Sequence, residues 1–91
     1  MTWVVIESKN IIKDLNKLPK HIQASYSYWR NIVMFDGITK LRAIKSFHFE
    51  KLKGKRSDQF SCRLSKSYRV IFNIVLKKVT VIVVEVNKHE Y

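Results

Sequence analysis

Apolar and polar positions change period along the chain, and each change predicts an element. Residues 3–7 are β-branched and apolar around Val4, Val5 and Ile6, which predicts a short strand. Ser8 then stands where it can N-cap a helix whose apolar stripe is Ile11, Leu15 and Leu18, at i, i+4, i+7. Pro19 ends that helix and suits the first turn of the next. The second helix carries Ile22, Tyr26, Trp29 and Val33 at i, i+4, i+7, i+11, and Asp36-Gly37 closes it. Tyr26, Tyr28 and Trp29 are read there as packing residues. A further helical turn is expected over 38–44, and then the pattern dissolves into a basic, irregular connection over 45–58.

From residue 60 the period is two. Phe60, Cys62 and Leu64 alternate with Ser61, Arg63 and Ser65; Tyr68, Val70, Phe72 and Ile74 alternate with Arg69, Ile71 and Asn73. Residues 79–86 are almost continuously apolar, as in an inner strand covered on both faces. Tight connections at 65–67 and 76–78 make these three segments an antiparallel meander. With a three-residue first loop, Leu64 faces Tyr68, Cys62 faces Val70 and Phe60 faces Phe72. That register keeps one face apolar, whereas a slip by one residue would not. It also sets Arg63 opposite Arg69 on the other face. A second loop of the same length would set Arg69 opposite Glu85. The expected fold class is α+β: an N-terminal strand, then a two-helix hairpin packed on one face of a small antiparallel sheet ending in the meander, with a basic patch on the other face.

The chain has 91 residues, room for one domain over 1–91 but not for a large enclosed substrate cavity. At 46% hydrophobic, with two glycines and one proline, it is a folding sequence and not a disordered basic tail. The single cysteine, Cys62, excludes an internal disulfide and any cysteine-based zinc cage, and it suits a reducing compartment. The first residues lack the layout of a signal peptide, and no wholly apolar run is longer than the four residues of 81–84. A cytoplasmic protein with no membrane partner is therefore expected. Its net charge of +11 points to polyanionic partners: nucleic acid, a ribosome or an acidic protein.

Most of that charge lies in 40–69, where ten Lys or Arg stand against Glu50 and Asp58, a net +8. Lys51, Lys53 and Lys55 alternate, so an extended backbone would aim all three the same way. A solvated, solubilising face is the plain alternative, but a one-sided and concentrated excess favours phosphate binding. Arg63 facing Arg69 sharpens this, since like charges directly across two strands destabilise a sheet unless an anion compensates. Arginine suits bidentate recognition of phosphate oxygens. Glu50 stands alone among these cations, a setting that favours a charged carboxylate and suits a general base. His89 is a candidate general acid near neutral pH, ahead of His48 and His21. Tyr91 is a candidate for base stacking or for proton donation. Cys62 falls on the apolar strand face and reads as a buried thiol. There is no glycine-rich phosphate loop, metal-ligand cluster or Ser/His/Asp set, so no cofactor or metal is expected.

The segments F-E-K-L-K-G-K-R at 49–56, F-S-C-R-L-S-K-S-Y-R-V-I-F at 60–72 and E-V-N-K-H-E-Y at 85–91 resemble the L-K-G, W-S-x-R and H-R-x-x-[YF] signatures of the RelE/ParE toxin superfamily, in the RelE, YoeB and HigB branches. The likeness spans the whole chain; Phe60 stands where YoeB-like chains often carry Trp. It implies the toxin of a type II toxin–antitoxin system, a ribosome-dependent mRNA endonuclease that needs no metal. It further implies Glu50 as general base and Arg63 and Arg69 as holders of the scissile phosphate. His89 or Tyr91 would be the general acid. Lys51 and Lys53 would stabilise charge, with Lys55, Arg56 and Lys66 completing the RNA-binding surface. The implied partners are an acidic antitoxin, the 70S ribosome and mRNA; alone the chain is expected to be a monomer, and with its antitoxin a hetero-oligomer. Two other readings stay open: ParE-type gyrase inhibition by protein contact, or an inactive module that only binds its antitoxin.

Overall fold

The computed structural model describes residues 2–88, so His89 and Tyr91 lie outside the described residues. Strand β1 (Val4–Ile6) leads into helix α1 (Lys9–Asn16), and α2 (Lys20–Ala43) follows. Then come β2 (Glu50–Lys51), β3 (Phe60–Arg63), β4 (Tyr68–Val75) and β5 (Thr80–Lys88). The five strands form one sheet in the order β1-β5-β4-β3-β2. Neither helix is long and apolar enough to cross a membrane.

The helices begin and end where the side chains dictate. The Ser8 hydroxyl accepts the Ile11 N–H at 3.2 Å, capping α1. Ile22, Trp29 and Val33 are fully buried from one stripe of α2, and Tyr26 nearly so. Gly37 breaks α2 with φ 81°, and one more helical stretch runs on to Ala43, as the sequence predicts. The break lets β1 come close: the Trp3 N–H donates to the Met34 carbonyl at 2.9 Å. A Cβ on Gly37 would stand 2.7 Å from the Trp3 indole nitrogen. Glu7, just past β1, accepts the Tyr26 hydroxyl and pairs with Arg30 Nε at 3.5 Å, tying the β1–α1 corner to α2.

The core fills the space between α2 and one face of the sheet, where Trp29 meets Phe72 at a centroid distance of 5.2 Å. Cys62, Val70, Phe72, Val81, Val83 and Val86 come from that face. The first hairpin has the expected register: Phe60 pairs with Phe72, Cys62 with Val70 and Arg63 with Arg69.

Three expectations need correction. The sheet is not wholly antiparallel, because β1 pairs with β5 in parallel. The 45–58 connection is not wholly irregular: Glu50 and Lys51 pair with Ser61 and Phe60 as a two-residue edge strand. The second hairpin does not set Arg69 opposite Glu85. Its loop is one residue longer, with Val79 at φ 50°, and Val75 faces Thr80. A bulge then passes over Val84, so Ile71 faces Glu85 and Arg69 faces Asn87. The bulge also lets Val83 and Val86, three apart, both turn inward.

Gly37→Ala combines a positive φ with a clash against Trp3, so it should destabilise the chain by about 1–3 kcal/mol; an unchanged urea midpoint would contradict that. Burial pushes the Cys62 thiol up to about 12, with the Trp29 indole acting in the opposite direction. Burial and the bond to Glu7 likewise raise Tyr26 far above its ordinary value of 10.0. Below about pH 9 both groups keep their protons folded and unfolded, so neither makes stability depend on pH. Above it the unfolded chain ionises first, and stability falls as pH rises. The urea midpoint should therefore drop above pH 9, and Cys62→Ala should flatten the first part of that drop.

Candidate functional site

The face of the sheet away from the helices carries the polar residues of β3 and β4. Glu50 pairs with Ser61, and Arg63 pairs with Arg69, so all four side chains leave the same face. Glu50, Arg63 and Arg69 line one small cleft of about 30 Å³, walled further by Ser61, Ser65, Lys66 and Tyr68. That volume is on the order of one water molecule's share of liquid. It is a surface notch and not an enclosed chamber, suited to one or two oxygens of a larger anion.

The local sequence builds this notch. Ser65 accepts the backbone N–H groups of both Ser67 and Tyr68 at 3.2 Å, which tightens the loop. The Leu64 N–H closes the hairpin onto the Tyr68 carbonyl at 2.8 Å. Lys66 lies in this loop and lines the notch together with the two arginines. Arg69 is half-buried, and its Nε has no hydrogen-bond acceptor among the described residues.

The other cations are placed differently. Arg56 donates to Gln59 at 2.7 Å and to Glu85 at 2.6 Å, and Asn87 donates to the second Glu85 oxygen at 2.6 Å. Glu85 is thus engaged by Arg56 and not by Arg69. Lys51 pairs with Phe60, so its side chain leaves β2 on the face opposite Glu50, beside Arg42 and Phe49. The lysine alternation does not persist: Gly54, at φ 70°, turns the chain before Lys55. Lys53 and Lys55 are exposed and lie outside the notch.

Sequence reasoning missed Ser61, Ser65 and Tyr68 as walls of the notch, and it misread Tyr28, which is 55% exposed. The signal for Tyr28 was present. Two residues on from Tyr26 it turns about 200° around the helix, away from the buried stripe. Among the described residues no cluster of three or more His, Cys, Asp or Glu could hold a metal ion.

Neither a protein-family model nor a curated protein matches the chain. Solved structures do. The archaeal RelE–RelB complex from Pyrococcus horikoshii contains a chain 27% identical, with a TM-score of 0.75 over 97% of this chain and 96% of that one. A RelBE2 toxin–antitoxin complex from Mycobacterium tuberculosis matches at 21% identity and a TM-score of 0.69, over 98% of this chain and 100% of that one. A YoeB/ParE toxin from Agrobacterium tumefaciens matches at 15% and 0.62, over 99% and 100%. The chain has the RelE/ParE toxin fold.

Within this RelE/ParE fold the notch sits where the meander is most tightly determined, at the β3–β4 hairpin. An anion bound there would relieve the repulsion between the two arginines. Inorganic phosphate should accordingly raise the unfolding free energy of the chain, by about 1 kcal/mol near five times its dissociation constant, read as a higher urea midpoint. Arg69→Ala should remove most of that increment. Equal increments in both proteins would mean that no anion is held between these strands.

Proposed function

We propose that this protein is the toxin of a toxin–antitoxin system and acts as a ribosome-dependent mRNA endonuclease. The reading rests on one observation: the only carboxylate of the basic segment's first half, Glu50, lines the same notch as Arg63 and Arg69. A base next to two guanidinium groups is the minimal equipment for moving a phosphoryl group from one oxygen to another.

Glu50 takes the proton from an RNA 2′-hydroxyl, and that oxygen attacks the adjacent phosphorus. Arg63 and Arg69, with Lys66 beside them, stabilise the charge that gathers on the non-bridging oxygens, commonly the largest contribution in such sites. The bond to the 5′-oxygen breaks, and that oxygen takes up a proton from a general acid, for which His89 and Tyr91 are the candidates. The products are a 2′,3′-cyclic phosphate and a 5′-hydroxyl. A notch this shallow does little to orient the strand, so in-line geometry has to come from the ribosome. The partner that silences the protein is an acidic antitoxin. The apolar groove of about 610 Å³ between Trp3, Ile38 and Phe60, with Arg42 at its rim, suits one apolar side of such a segment.

The test is primer extension on an mRNA incubated with the protein, with and without 70S ribosomes programmed with that message. Cuts should appear with ribosomes only. Glu50→Gln should slow them about 100- to 10,000-fold, the range for loss of a general base, and Arg69→Ala should also impair them. If both variants cut at the wild-type rate, the assignment is wrong. A protein that cuts nothing yet inhibits gyrase supercoiling would act as ParE-type members do.

A further inference from the structure

A second cleft opens at the β3–β4 hairpin tip and borders on the notch. The two share Arg63, Ser65 and Lys66. The second is far roomier, about 370 Å³, within the usual range for small-ligand sites. Its floor is aromatic. Tyr28, from the exposed side of α2, lies with its ring centroid 5.6 Å from that of Phe47, at 31°. Phe47 is 5% exposed and Tyr28 55%, so the buried ring backs the open one and leaves a face of Tyr28 accessible. Ser25 and Ser46 also line it. The Ser25 hydroxyl donates to the His21 carbonyl at 3.1 Å, so its lone pairs remain to accept from an amino group.

We infer that this cleft is a nucleotide subsite, in which a base flanking the phosphate held by Arg63 and Arg69 stacks on Tyr28; the inference rests on the nuclease reading above. The arrangement has the two parts that single-stranded nucleic acid requires, a cationic track for the backbone and an aromatic face beside it. Lys66 and Arg63 border both clefts, so a strand passing over the hairpin tip stays among positive charges from one to the other. An acidic peptide would use the same charges but would want apolar anchors along a groove, and this cleft offers one exposed ring. Stacking tolerates any base, and the serine hydroxyls are what would grade one base against another.

The experiment is an NMR titration of the labelled full chain with a 2′-O-methyl trinucleotide, which binds but cannot be cut. Resonances of Ser25, Tyr28 and Ser46 should shift together with those of Arg63 and Arg69. Tyr28→Ala should weaken binding about 5- to 100-fold, the span for loss of one stacked base, while Tyr28→Phe binds as wild type does. Shifts confined to the arginine notch, or no shifts at millimolar RNA, would overturn the subsite. So would a hexaglutamate peptide that reproduces the shifts and is weakened equally by Tyr28→Ala. The ribosome assay separates the two claims: wild-type cleavage without shifts at Tyr28 removes the subsite alone, and shifts without cleavage remove the nuclease alone.

Discussion

Everything on the polar face depends on the register of the β3–β4 hairpin. On the inner face Cys62 pairs with Val70 and Phe60 with Phe72, and Cys62, Val70 and Phe72 are fully buried. Each such burial contributes about 1.5–3 kcal/mol for the larger side chains. Placing Arg63 against Arg69 costs roughly 0.2–1 kcal/mol. The apolar pairs win, and the two arginines are held together by the packing behind them. The positive notch is thus a by-product of core register, kept in place by residues that never touch it.

The rest of that face decides how much of the charge survives. Glu85 is well placed to neutralise one arginine, and it is spent on another. The β4–β5 bulge moves Glu85 opposite Ile71, where Arg56 reaches it from the loop before β3. Both partners are more than a third exposed, so the pair contributes little stability. Its effect is on position: it engages Arg56 with Glu85 and leaves Glu50, among the described residues, as the carboxylate that lines the notch with Arg63, Arg69 and Lys66. A loop one residue shorter, without the bulge, would set Glu85 against Arg69 and fill the notch from within.

Which features were legible in the sequence follows from how sharply a one-residue error is penalised. In the first hairpin a slip exchanges Cys62 and Val70 for Arg63 and Arg69, so the register can be read directly. In the second, Val81, Ile82, Val83 and Val84 are all apolar, and a slip exchanges like for like. The bulge at Val84 and the longer loop leave no mark in the pattern. Strand β2 is two residues long and polar, below what any periodicity can reveal. The cluster of Glu50 with the arginines could be reasoned only as a charge argument, because their meeting depends on that invisible edge strand. The helix break at Gly37 was legible, since glycine after Asp36 at the end of an apolar stripe has few other uses.

Alternation along a strand also separates what the fold needs from what the site needs. Three notch residues of β3 and β4 are each followed by one that faces the core: Ser61 by Cys62, Arg63 by Leu64, Arg69 by Val70. Changing an exposed outward residue such as Arg63 leaves the inward set intact, so the sheet tolerates new surface chemistry there at small energetic cost. This accounts for a fold shared over at least 97% of the chain with structures only 15–27% identical to it. It also means that the fold alone carries no activity. What distinguishes one such chain from another is the set of outward side chains, and here two residues of edge strand bring Glu50 beside Ser61 and so into the same notch as the paired arginines.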